Sequence, residues 1–64
     1  MNDNELKWEF YQACLDSYRS PENEYYALIV EREIDHLCLL GVTGLDEIMI
    51  RAGKQAKEEM ENEK

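Results

Sequence analysis

Scarcity shapes the reading of this 64-residue chain, which has one proline, three glycines, two cysteines, one histidine and only seven basic residues. Two cysteines, Cys14 and Cys38, allow at most one disulfide and fall short of the four ligands of a structural zinc site. His36 and Cys38 stand two apart, which on a helix points them about 200° from each other, so they share no metal unless the helix breaks there. No catalytic, metal or nucleotide motif stands out, and no cofactor is expected. Long apolar runs are missing too, and the start MNDNELKWEF has no basic region followed by an apolar stretch. That excludes a membrane span and a signal segment from the reading and points to a cytoplasmic protein. In that compartment Cys14 and Cys38 are expected to be reduced and packed as small hydrophobes. Against the seven Lys and Arg stand fifteen Asp and Glu, a formal charge of −8. Such a surface repels the backbone of nucleic acids and anionic membranes, both of which are bound by neutralising phosphate with Lys and Arg. The partner it fits is a protein, one with a basic surface.

What is present argues for a folded helical protein. Hydrophobic residues make up 44% of the chain, too many for a disordered segment. A chain this short holds one domain, and its core barely outweighs the entropy of ordering the backbone. Close helix packing or self-association must supply the rest. The punctuation marks three helices. Asp3 or Asn4 caps a first one running to about Arg19. Ser20 caps a second, with Pro21 at its first position and Glu22 and Glu24 in its positive first turn. Gly41 ends that helix in the left-handed conformation, and Thr43 with Asp46 forms a capping-box pattern that starts a third. The expected architecture is all-α, a helical hairpin plus a third C-terminal helix, as one domain over residues 1–60 with a frayed polar tail at 61–64.

At about 100° per residue, helix three carries one apolar stripe, Leu45, Ile48, Met49, Ala52, Ala56 and Met60. Gly53 costs about 1 kcal/mol of helix propensity, for which close approach of another helix is the expected compensation. Helix one has two seams, Leu6, Phe10, Ala13 and Cys14 on one side and Trp8, Tyr11, Leu15 and Tyr18 on the other. Helix two has a primary stripe, Tyr26, Ile29, Val30, Ile34, Leu37 and Leu40, and a second face of Tyr25, Leu28 and Leu39 with Arg32 and His36 among them. A three-helix unit buries one broad face per helix, so the second faces are read as interaction surface. The candidate interface is therefore Trp8, Tyr11, Leu15, Tyr18, Tyr25, Leu28 and Leu39, serving a homodimer or higher oligomer, a protein partner, or both. The competing reading has helix three fold across and cover these seams.

Among the charged residues, Glu33 and Lys7 each interrupt an apolar arc and are expected to pair between helices, fixing register. Glu47 with Arg51, Lys54 with Glu58 and Lys57 with Glu61 stand four apart and can pair within helix three. Three short helices can hardly enclose a catalytic pocket, so a non-enzyme is expected. The segment REIDHLCLLGVTGLDEIMIRAGK has the form of helix, tight turn and helix. Asp46 and Glu47 at the start of its last helix oppose seating on DNA, although the acidic surface as a whole could occupy a partner's phosphate-binding groove as a DNA mimic.

Residues 4–37, through Glu5, Leu6, Glu9, Tyr11, Leu28 and Ile29, resemble the small helical-hairpin antikinases that restrain sporulation in Bacillus-type bacteria. The later spacing is offset by one residue, the connection is longer, and those hairpins have no counterpart of helix three. Neither their function nor their residues are carried over. The functional expectation is a small acidic regulator or inhibitor that binds protein, of the kind found among phage and mobile-element genes acting on host machinery. The alternative is a structural or accessory subunit of a larger assembly, and a helix-turn-helix transcription regulator stands third.

Overall fold

The computed structural model describes residues 3–62, which form three α-helices: α1 (Asp3–Arg19), α2 (Glu24–Leu39) and α3 (Leu45–Asn62). No strand occurs among the described residues, and the expected all-α hairpin plus third helix is what the chain adopts.

The boundaries show how local chemistry sets these elements. Asp3 and Asn4 lie inside the first turn of α1 rather than ahead of it, where Asp3 and Glu5 meet the positive end of the helix dipole. Ser20 and Pro21 do not start α2. The Asn23 N–H donates to the Ser20 carbonyl at 3.0 Å, closing a four-residue turn with Pro21 at its second position. Proline's fixed φ suits that position as well as it suits the first turn of a helix. The cap is Asn23, whose backbone is extended (φ −95°, ψ 99°) and whose side-chain oxygen accepts from the Tyr25 N–H at 3.0 Å.

Gly41 ends α2 as expected, with φ +81°. Its N–H donates to the Cys38 carbonyl and the Val42 N–H to the Leu37 carbonyl, the two bonds of a Schellman closure. Val42 and Leu37 are both buried, which adds the apolar contact that accompanies this closure. The capping box at Thr43 and Asp46 is displaced. Gly44, with φ +79°, stands at the junction and its carbonyl accepts from the Ile48 N–H, so Asp46 and Glu47 fall in the first turn of α3. At the far end α3 continues through Glu61 and Asn62, which were expected to fray. Glu63 and Lys64 lie outside the described residues.

α1 is the middle helix. It packs on α2 along one side and on α3 along another, while α2 and α3 touch only slightly. Trp8 and Glu9 share a groove with Ile29 and Glu33 of the antiparallel α2. Lys7 and Trp8 share a cleft with Ile48 and Arg51, Tyr18 stands beside Gly53, and Arg19 reaches Glu59, so α3 packs against α1 from its first turns to its last. The Cα radius of gyration is 12.1 Å, against about 11 Å for a compact chain of this length. The body is elongated, 40 × 21 × 17 Å, with both other helices packed on a central one, which accounts for the difference.

The core is Phe10, Cys14, Leu15, Val30, Leu37, Val42, Leu45, Ala52 and Ala56, with Leu6, Tyr11, Ala13, Tyr18, Ile34, Ile48 and Met49 packed against it. Both seams of α1 are thus used within one chain. Leu15 is only 3% exposed, and its assignment to an intermolecular seam is corrected by the presence of α3. Further expectations are revised. Cys38 is exposed, unlike the buried Cys14. Leu40, at the cap of α2, and Met60, near the end of α3, are exposed because the neighbouring helices do not extend over them. Lys7 and Glu33 do not pair, since Lys7 turns to the α3 side of α1 and Glu33 to the α2 groove. Among the described residues the ion pair that forms is Arg19 with Glu59, and the three pairs expected within α3 stay open.

Candidate interaction surface

With α1 between them, the packing of the three helices leaves the outer face of α2 uncovered. Tyr25 is 67% exposed, Leu28 55% and Leu39 88%. They recur at intervals of three and eleven residues, which places them on one line of the helix together with Arg32. A shallow groove joins Tyr25, Leu28, Ile29, Glu31, Arg32 and Asp35. Arg32, Asp35 and His36 are exposed within this face, so its ends are apolar and its middle is charged.

Trp8 is the exposed aromatic of α1, at 61%. Its ring stacks on Tyr11 with centroids 5.8 Å apart and planes 26° apart, which restricts the indole without burying it. On one side Trp8 borders the groove towards α2. On the other it borders a cleft of about 430 Å³ lined by Asn4, Lys7, Tyr11, Ile48 and Arg51. Two of the seven basic side chains of this acidic chain, Lys7 and Arg51, therefore flank two aromatic rings.

Of the seven residues singled out in the sequence, four remain available: Trp8, Tyr25, Leu28 and Leu39. The last three share the α2 face and Trp8 stands apart on the crest of α1. Tyr11 and Tyr18 are half-buried against the core, and Leu15 is within it. Ile50, 61% exposed, was not anticipated. Its signal was present, because it falls off the stripe formed by Leu45, Ile48, Met49, Ala52 and Ala56.

The ionisable groups with displaced pKa values are structural. Burial raises the Cys14 thiol to about 11, which keeps it protonated and inert at neutral pH. Burial, with a smaller contribution from Cys14, also raises Tyr18. At the surface the Arg19 guanidinium donates two hydrogen bonds of 2.7 Å to the Glu59 carboxylate, and the Gln55 amide donates a third at 3.1 Å. These bonds hold the Glu59 carboxyl down at about 2. The bidentate geometry ties the C-terminal ends of α1 and α3.

Comparison with known proteins returns no matching family model, no matching curated protein and no matching solved structure. The functional reading therefore rests on the chain's own surface.

Proposed function

We propose that this protein is a small acidic regulator or inhibitor that works by binding another protein and by self-association. The observation carrying the reading is that Trp8, Tyr25, Leu28 and Leu39 stay exposed after all three helices have packed. Aromatic and large aliphatic side chains standing proud of a folded core are the usual anchors of protein interfaces. The charge of −8 favours a partner with a basic surface, whose approach it would accelerate at low salt. Clefts as open as those beside Trp8 suit a docked side chain better than a reaction that must exclude water. Exposed Asp46 and Glu47 at the start of α3 oppose seating that helix on a phosphate backbone. As a phage or mobile-element product acting on a host protein in the cytoplasm, such a chain would need no cofactor.

Ile50 supports a second reading, an accessory subunit of a larger assembly, because it adds an exposed apolar side chain on α3. The test is capture from cells of origin with the wild-type chain and with Trp8→Glu in parallel. A discrete protein retained by the first and lost by the second supports the regulator. Identical capture by both removes Trp8 from the binding surface, and a stable multi-component complex co-purifying with both favours the subunit.

A further inference from the structure

The outer face of α2 is self-complementary. Tyr25, Leu28, Arg32, Asp35 and Leu39 are spaced three, four, three and four residues apart, the spacing of the seam between two helices that coil around each other. Within the single chain Arg32 and Asp35 form no ion pair with each other or with any other described residue. A seam that is apolar at its ends and carries Arg32 and Asp35 at its centre, with Glu31 and His36 beside them, is a seam with a preferred orientation.

We infer that this face docks on the same face of a second copy, the two α2 helices running antiparallel about a twofold axis level with the midpoint between Arg32 and Asp35. In a parallel, in-register pair, Arg32 would face Arg32 and Asp35 would face Asp35. Antiparallel alignment instead sets Arg32 against Asp35 of the second copy, and symmetry repeats the pair. The same register decides the apolar contacts. Leu28 lies four residues before Arg32 and Leu39 four residues after Asp35, so Leu28 meets Leu39 of the second copy, again twice. Charge and apolar matching thus agree on a single alignment. A polar pair inside an apolar seam sets register and orientation at some cost in affinity.

The affinity is modest. α2 has 16 residues and so presents a face about 24 Å long, which buries less than the roughly 800 Å² per partner of a standard stable interface. Association is therefore reversible. The inference rests on the reading that the chain works by protein contact, and it leaves Trp8 on the crest of α1 for the other partner.

The test uses the full chain at concentrations on the order of 100 µM, with mass read by light scattering. Arg32→Asp sets two acids against Asp35 across the axis, and Asp35→Arg sets two cations against Arg32. Both positions are exposed in the single chain, so helical circular dichroism is retained. Each variant alone dimerises at least tenfold more weakly than wild type. Mixed in equal amounts, the two regain wild-type dimerisation as a heterodimer, in which both cross-pairs are again of opposite sign.

A second measurement fixes the register. In a Cys38→Ser background, Leu28→Cys chains mixed with Leu39→Cys chains form an oxidised cross-link between unlike chains. Leu28→Cys chains alone do not, because the two copies of that position stand about 16 Å apart along the seam. A wild-type chain that is monomeric at these concentrations overturns the inference. So does a failure of mixing to restore the dimer, or cross-linking between like chains. None of these outcomes touches Trp8-dependent capture of a different protein, which tests the broader reading separately.

Discussion

Replacing Gly53 by Ala should stabilise the protein, against the expectation that close helix approach demands a glycine there. Gly53 is in the interior of α3, and its φ is not positive. A β-carbon added at this position would meet Tyr18 Cε2 at 3.8 Å, an ordinary van der Waals distance. The methyl group therefore adds a contact without displacing one, worth about 0.1–0.2 kcal/mol per atom pair. The larger gain is conformational, because alanine exceeds glycine by about 0.8–1.0 kcal/mol in a helix interior. For a domain of this size each kcal/mol moves the melting temperature by about 4–8 °C, so thermal unfolding followed by circular dichroism should show a rise of several degrees. Gly41→Ala is the matched control. The space around Gly41 is more open still, with nothing within 4 Å, but its φ is +81°. Alanine there strains the α2 closure by roughly 1 kcal/mol, and the melting temperature should fall by a similar amount. A lower melting temperature for Gly53→Ala would refute the packing described for α1 and α3, showing that the helices approach too closely for a methyl group.

Three other outcomes follow from the same structure. Leu15→Ala should cost about 2–5 kcal/mol in urea unfolding, as a buried leucine does, while Leu28→Ala, measured at low protein concentration, should cost less than about 1 kcal/mol. Equal costs would mean that the division between core and surface is wrong. With a thiol-reactive dye one cysteine per chain, the exposed Cys38, should react quickly in the native protein, and both should react in denaturant; rapid labelling of two would place Cys14 outside the core. The Glu59 carboxyl should titrate near 2 rather than near its ordinary 4.5, as read by NMR. A depressed folded-state pKa contributes stability above the ordinary value that is lost as pH falls towards 2, and Arg19→Met should return the titration towards normal. If Glu59 titrates near 4.5 in the wild type, the Arg19 pair does not form in solution.

How the chain divides into helices was legible because Pro21, Gly41 and Gly44 sit where the pattern is interrupted. The start of α2 was not, for a specific reason. Ser-Pro satisfies the geometry of a helix start and of a turn equally, and the rival cap three residues on, Asn23 accepting from the Tyr25 N–H, is what takes the helix start. Periodicity revealed two apolar seams on α1 but carries no information about which helix stands between the other two. The sequence reading therefore assigned Leu15 to an interface when α3 covers it. On α2 the second face read from the sequence, Tyr25, Leu28 and Leu39, is the exposed one, because α1 takes the opposite side and α3 reaches only its C-terminal end. The charged pairs were the least legible. Spacing of four permits Glu47 to meet Arg51, but exposed partners have little to gain from closing, whereas Arg19 and Glu59 meet across helices with no sequence signal at all.

The most direct test of the account is the behaviour of Leu28→Glu across a concentration series, with helicity read by circular dichroism and mass by light scattering. The core lies within one chain and excludes Leu28. This variant should therefore keep a helical spectrum and the mass of a single 7.6 kDa chain at concentrations where the wild type is expected to scatter as the proposed dimer. A variant that is unfolded at every concentration would place Leu28 in the fold, and one that assembles as the wild type does would remove the α2 face from any role in assembly. Either result contradicts the claim that the uncovered face of α2 is a contact surface.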